Sequence, residues 1–490
     1  MTSKVIKNYI YNIVYQIAVL IIPLITAPYL ARILGAEGIG IYSYNYSIAY
    51  YFSLFVMLGV NNYGNRSIAK CLGEKKKIHK VFWEIYFLQV IMGIIVIGFY
   101  MLYVIFLCDN KIIALCYIPF IVSYMLDINW YYFGQENFKI ILIRNIVMKV
   151  FTAILIFTMV KSKDDVIKYI LIMSIGALVN QLVIWGIIAK ERSFIIPKWT
   201  EIMKHFRANL VLFIPTIAVS IYRTMDKIML GTISDMIQVG YYENSEKITS
   251  ILLTFITALG TVMLPRMTSL FEEKENEKIN EIIEKSFLLM SFIVSVVTFG
   301  IGAVANNLVT VYFGKEYMSS GLILEVLCLT VPFISYANII RMQIIVPQSK
   351  DNIYIASCIT GAIVNVIFNA ILIPKFYAVG AAIGTVIAEF SVFAFQYFSI
   401  RKSLKVKKYI LKTIMLFWVN GLTMFGIVRL YLSKVNLGIF SLINSILIGA
   451  VSYSVLIVIQ VKIFKDEYLN ELIKKISKKI KSNIVRVEKI

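Results

Sequence analysis

Residues 210–231 read "LVLFIPTIAVSIYRTMDKIMLG". Nothing up to Ile221 is charged, and a helix of this length can cross roughly 30 Å of bilayer hydrocarbon. Yet Arg223, Asp226 and Lys227 follow within two turns. A charge facing lipid costs about 3 kcal/mol on insertion scales, so these side chains must point into a bundle of other helices. The stretch therefore predicts a membrane protein with many spans and a polar interior.

The rest of the chain agrees. Of its 490 residues, 59% are hydrophobic and only 16% charged, and the mean hydropathy is +0.79. Apolar segments long enough to cross recur at about 8–34, 39–62, 82–108, 112–133, 141–160, 166–189, 208–231, 239–264, 286–313, 320–346, 353–373, 379–400, 409–432 and 438–463. They predict an all-α polytopic membrane protein of about fourteen transmembrane helices. The first segment is too long for a cleaved leader, and a second span follows at once.

A net charge of +21 invites a nucleic-acid reading, but its distribution is that of a topology signal. With loops sorted alternately, roughly 35 Lys and Arg fall on one side and roughly 8 on the other. The rich side carries "RSIAKCLGEKKKIHK" (66–80), "RKSLKVKK" (401–408) and the tail after Lys462. By the positive-inside rule both termini are cytoplasmic. The tail reads either as an amphipathic helix on anionic lipid or as a solvated one. The five cysteines (71, 108, 116, 328, 358) form no metal or disulfide pattern, and His79 and His205 read as cytoplasmic loop residues. "GVNNYGNRS" (59–67) has P-loop glycine spacing, but Asn65 stands where the lysine belongs.

The chain also repeats itself. "VLIIP" at 19–23 recurs as "VLFIP" at 211–215, "LG" at 34–35 recurs at 230–231, and "GIYSY" at 40–44 aligns with "GYYEN" at 240–244. Gly59 and Arg66 match Gly260 and Arg266. Six helices per half is an even number, so the halves are two parallel six-helix repeats, an arrangement that places a transport site between them. The expected organisation is a six-helix lobe (1–190), an interfacial linker (191–207), a second lobe (208–400), two additional C-terminal helices (401–463) and a basic cytoplasmic tail (464–490). Pro23 and Pro215 occupy matching places and read as paired hinges or as tolerated membrane prolines.

If the hairpin after the seventh span turns near Asp235, Lys227 comes level with Glu243, and Arg223 with Glu246; Lys247 follows at once. These charges either fix helix packing or line a polar pathway. The first half echoes them with Arg32 and the tyrosine-rich "YSYNYSIAYYF" (42–52). Asp127, Asn129, Glu325, Arg341 and Glu389 are further polar intrusions. Asn365 and Asn369, spaced i,i+4, share one face and read as interhelical hydrogen-bonding groups.

Four stretches, "APYLARILGAEGIGIYSY" (27–44), "INWYYFGQENFK" (128–139), "DKIMLGTISDMIQVGYYENSEKI" (226–248) and "GAIVNVIFNAILIPKFYAVGAAIGTVIAE" (361–389), resemble the bacterial polysaccharide transporter family. These are the Wzx-type flippases of O-antigen and capsule assembly, within the multidrug/oligosaccharidyl-lipid/polysaccharide exporter superfamily. The resemblance implies a plasma-membrane transporter, not an enzyme, with two lobes around a central cavity and alternating access. It implies an undecaprenyl-pyrophosphate-linked oligosaccharide as cargo, a polysaccharide polymerase as partner and no nucleic acid. Arg32, Arg223, Lys227 and Arg341 would then meet the pyrophosphate. Asp127, Asp226, Glu243, Glu246 and Lys247 would orient those cations or carry a coupled charge. Tyr42, Tyr44, Tyr46, Asn365 and Asn369 would read the sugars. No cofactor or metal is expected; the drive would be a proton, a sodium ion or the membrane potential. A peptidoglycan lipid-precursor flippase and a drug/cation antiporter are the alternatives within the superfamily, and a membrane glycosyltransferase lies farther off.

Overall fold

A computed structural model describes residues 3–188, 194–401 and 408–464, which fold as helices joined by short turns, with no strand among the described residues. In chain order the helices are α1 (Ser3–Met57), α2 (Val60–Ala69), α3 (Lys75–Phe106), α4 (Lys111–Leu115), α5 (Ile118–Met125), α6 (Asn129–Gly134), α7 (Phe138–Met159) and α8 (Val166–Ile188). Then come α9 (Trp199–Ile233), α10 (Met236–Glu272), α11 (Asn276–Tyr312), α12 (Ser320–Cys328), α13 (Thr330–Ile340), α14 (Asp351–Ile400), α15 (Lys408–Leu432) and α16 (Ile439–Phe464). The basic tail and the segment 402–407 lie outside the described residues, as does part of the linker.

Eleven helical segments among the described residues are long and apolar enough to cross a membrane. The expected fourteen differ from these in three places. Ile21–Ala69 and Asp351–Ile400 are 49 and 50 residues long, each about twice one crossing, and α9 is not among the eleven. The long α1 turns at Gly35 (φ 70, ψ 178), a backbone conformation that glycine adopts without a Cβ clash. It runs as helix through Pro23 and Pro28, and its break lies twelve positions after Pro23. α9 is helical through position 215, whose side chain lies outside the described residues.

Burial is inverted relative to a water-soluble protein. Phe99, Phe106 and Phe440 are among many large apolar side chains that are exposed, while Glu84, Gln89, Asn365 and Asn369 are fully buried. That is the expected arrangement when the surrounding solvent is hydrocarbon and every polar group must find its partner inside. His205, expected in a loop, sits in the first turns of α9: its Nε2 lies 2.8 Å from Glu84 Oε2 and its Nδ1 2.7 Å from the Tyr63 hydroxyl. His79 is likewise helical, within α3.

The contacts divide the chain into two compact units, and the boundaries cut across the expected lobes. The first holds Met1–Lys247, Tyr312–Tyr317 and Cys358–Ala388; the second holds Ile248–Val311, Met318–Ser357 and Glu389–Ile490. The first unit has one core around Leu30, Tyr100, Tyr117, Ile121 and Tyr169, and another around Phe82, Trp83, Trp130 and Tyr131. It also displays the repeat directly. A Cβ on Gly40 would lie 1.7 Å from the Met236 carbonyl oxygen, and one on Gly240 would lie 1.9 Å from that of Ala36. Positions 36 and 40 thus meet 236 and 240 reciprocally, the signature of a two-fold relation between repeats. Ser43 and Glu243, equivalent in the same register, touch each other at 2.7 Å, as residues beside such an axis must.

The second unit is tied by polar pairs between membrane helices. Arg429 on α15 pairs with Glu325 on α12 and donates to the Gly302 carbonyl at 3.1 Å. Asn307 bridges to Ser441 at 3.1 Å and to the Gly438 amide at 2.9 Å. Gln343, in a π-helical turn over Arg341–Ile345, donates to Ser286 at 2.9 Å.

Candidate functional site

Charges at 223–227 can be buried only if the hairpin supplies counter-charges. α9 ends at Ile233, Asp235 accepts from the Gln238 amide at 2.9 Å, and α10 starts back at Met236. This turn brings Lys227 Nζ to 2.7 Å from Glu243 and 2.8 Å from Glu246. Glu243 also faces Lys247 at 3.3 Å and accepts from Ser43 at 2.7 Å. Lys227 and Lys247 therefore balance Glu243 and Glu246 in one network.

The network forms one side of a cavity of about 540 Å³ within the first unit. α1 contributes Pro23, Thr26, Tyr42 and Tyr46; α6 to α8 contribute Asn129, Asn145, Lys149, Tyr169 and Asn180; α9 and α10 contribute Lys227, Glu243 and Lys247. The wall thus presents three ammonium groups to one carboxylate. Lys149 is unlike the other two: no carboxylate among the described residues lies within ion-pairing distance of it. A partly buried ammonium without a counter-ion keeps its full attraction for an incoming anion.

An aromatic wall backs the cations. Tyr42 stacks on Tyr46 with ring centres 5.7 Å apart and meets Tyr169 at 4.5 Å; its carbonyl accepts from the Tyr117 hydroxyl at 2.8 Å. Tyr44 does not join it. Residues 42 and 46 share a helix face, whereas 44 lies on another, and its ring packs where a Gly231 side chain would otherwise sit.

The other expected residues separate into distinct places. Asp226 is buried, and its carboxylate is enclosed by neutral donors: Tyr242 (2.7 Å), Thr385 (2.9 Å), Asn365 (2.8 Å) and Asn369. Asn365 and Asn369 therefore serve Asp226 and are not among the residues lining the cavity. Asp127 lies where the fourth span breaks between α5 and α6, and it accepts from the Asn129 amide at 2.8 Å, closing a turn on its own backbone two residues on. Arg32 is exposed just before the Gly35 break and donates to the Tyr312 carbonyl at 3.2 Å. Arg341 belongs to the second unit, where it donates to the Tyr354 hydroxyl at 3.1 Å and stacks on its ring. The Arg223 side chain lies outside the described residues.

Lys149, Arg144, Asn145 and Asn180 were not singled out from the sequence. The signal was present in "IRNIVMK" (143–149), where three polar groups interrupt an apolar span. The depth argument used for Arg223 applies there equally.

A polytopic helical bundle with a charged cavity of this volume among its spans is the architecture of a membrane transporter. The chain belongs to the polysaccharide biosynthesis protein family, the model of which matches residues 5–271. Residues 141–451 also match the model described as Lipid II flippase MurJ. A curated relative from Escherichia coli (strain K12), named "Putative O-antigen transporter", is 26% identical over 78% of this chain and 93% of its own length. A namesake from Shigella dysenteriae is 23% identical over 76% and 94%. Among solved structures, an inward closed lipid II flippase MurJ covers 92% of this chain and 99% of its own, with a TM-score of 0.73 and 16% identity. An inward-facing multidrug resistance MATE transporter of the MOP superfamily gives 0.57 over 81% and 99%, at 13% identity. At such identities these likenesses speak to the fold alone.

Proposed function

We propose that the protein is a flippase for undecaprenyl-pyrophosphate-linked oligosaccharide repeat units, moving them from the cytoplasmic to the outer leaflet of the plasma membrane by alternating access. The reading rests on one observation, the excess of ammonium groups in the first unit's cavity, with Lys149 lacking a carboxylate partner among the described residues. A pyrophosphate entering there meets Lys149, Lys227 and Lys247, while its polyprenyl tail remains in hydrocarbon. A drug/cation antiporter requires the opposite excess. The names of the curated relatives support the same class of cargo.

Outward movement of about two negative charges is favoured by roughly 4.6 kcal/mol per 100 mV of inside-negative potential. Asp226 is the candidate for a coupled ion. Its carboxylate, the Thr385 and Tyr242 hydroxyls and the two asparagine amides offer a proton or a sodium ion an oxygen-rich shell once the amides turn. The basic loops orient both termini to the cytoplasm, and the product in the outer leaflet suits a polysaccharide polymerase. The match to the lipid II flippase model favours one second reading, a peptidoglycan precursor as cargo.

Depletion in the host tests both. Accumulation of complete repeat units on the cytoplasmic leaflet, with loss of surface polysaccharide, is the expected result. Accumulation of a peptidoglycan precursor instead would establish the second reading. Normal export of both would refute the flippase assignment.

A further inference from the structure

His205 lies in the first turns of α9, ahead of the span expected at 208–231, and there it joins three helices of the first unit. Its ring is almost fully buried, and Glu84 on α3 is completely so. Glu84 Oε2 meets His205 Nε2 at 2.8 Å and Lys204 Nζ at 2.8 Å, while Lys80 Nζ stands 3.9 Å from Oε1. A carboxylate ion only accepts, so Nε2 carries the ring proton. Nδ1 is then a lone pair, and it accepts from the Tyr63 hydroxyl of α2 at 2.7 Å. The neutral ring is satisfied at both nitrogens.

The charges around the ring balance without it. Lys80 pairs with Glu201 at 2.5 Å, so Lys80 and Lys204 together offset Glu84 and Glu201. No other titratable group among the described residues bonds or pairs with His205 or Glu84. A second proton would place an unbalanced charge on a buried ring next to Lys204. It would also turn Nδ1 from acceptor to donor, so the Tyr63 hydroxyl proton would lose its acceptor. Burial holds the imidazole below its usual range against the pull of Glu84, and Lys204 adds to the effect.

The backbone beside this cluster is held in place as well. Leu58 and Gly59, between α1 and α2, have φ of 42° and 82°, and a Cβ on Gly59 would lie 2.7 Å from the carbonyl oxygen of Asn209, one turn after His205. A leucine keeps such a conformation only where its surroundings impose it, and Leu58 shares a core with Phe213 of α9. α9 is one helix from Trp199 to Ile233, so its start is joined to Lys227 in the cavity wall, about 33 Å along the axis.

We propose that Tyr63, Glu84 and His205 form a latch that holds the start of α9 on α2 and α3, and that a proton on His205 loosens it. The hold is complete above the usual imidazole value of about 6.5 and is lost as the pH falls through the lower value of the folded protein. The latch does not depend on which cargo the cavity takes.

Hydrogen exchange in the purified full-length protein at about pH 7.5 and about pH 5.5, corrected for the intrinsic rates, tests it. In the wild type, backbone amides in 204–209 and 60–69 should exchange about five-fold faster at the lower pH. His205→Gln keeps a donor for Glu84 but does not titrate, so its corrected rates should agree at the two pH values. His79 is present in both proteins and cancels in the comparison. Lys204→Met leaves the Glu84 charge for His205 to balance; the protonated ring then restores neutrality, and the same amides should exchange more slowly at the lower pH. The Lys204 side chain is 52% exposed, so this variant decides the matter even if His205→Gln fails to fold. Wild-type exchange that is unchanged or slower at the lower pH overturns the latch. A wild-type response in His205→Gln, or the wild-type sign in Lys204→Met, overturns it equally.

Discussion

Replacing Lys227 by Met removes the cation shared by Glu243 and Glu246. The four-group network then passes from neutral, with Lys227 and Lys247 against Glu243 and Glu246, to a net charge of −1. Lys227 and Glu243 side chains are only 14% and 12% exposed, so water screens little of the imbalance. Leaving a buried charge uncompensated costs about 3–5 kcal/mol, and Lys247 at 3.3 Å from Glu243 recovers a part of it. The expected loss of stability is therefore about 3 kcal/mol. Adding Glu246→Gln restores neutrality and should return most of that stability. It does not restore a cation to the cavity, so export should remain lost. Thermal unfolding of the detergent-purified variants measures the first quantity, and surface polysaccharide in a depleted host measures the second. A double variant that exports at the wild-type level would refute a cargo role for Lys227 and leave the network as a packing device. A single variant as stable as the wild type would refute the burial argument itself.

Lys149 has no ion-pair partner among the described residues to lose, so Lys149→Ala should change stability by less than about 1 kcal/mol while export falls at least about ten-fold; unchanged export would remove it from the cargo path. Gly40→Ala and Gly240→Ala each drive a methyl into the opposing backbone carbonyl, at 1.7 and 1.9 Å. Both should destabilise by a similar amount, about 3 kcal/mol or more, and a harmless substitution at either position in the same unfolding assay would contradict the two-fold contact. Asp226→Asn keeps the shape of its cage, so the variant should fold, but export should lose any dependence on sodium or on the proton gradient that the wild type shows. Retention of that dependence would take Asp226 out of the coupling.

The run at 210–231 and its hairpin partner were legible because the argument is local: a charge within an apolar helix must be answered one hairpin away. Lys227 accordingly meets Glu243, and the matched glycines 40 and 240 mark a real close approach. Arg32, Asp127 and Arg341 look identical in such a reading, since each is a charge beside apolar residues. Their surroundings differ in ways that depend on where helices break. Asp127 closes a turn at the discontinuity between α5 and α6, and Arg32 lies just before the turn at Gly35. Tyr44 was grouped with Tyr42 and Tyr46 by composition, and helical rotation separates it from them.

Hydropathy and the internal repeat by themselves determined an all-α polytopic bundle, and the hairpin geometry the pairing of Lys227 with Glu243. These follow from the cost of placing a charge or a bare peptide group in hydrocarbon, which any single helix must meet. Which polar groups share one cavity was decided only by tertiary packing. Lys149, Asn129, Asn145 and Asn180 join Lys227 across a space bounded by α1, α6, α7, α8, α9 and α10, whereas Asp226, one residue from Lys227, faces a different set of neighbours. Successive positions on a helix point about 100° apart, so adjacency in sequence separates those two side chains, and only the packed neighbours settle what each one meets.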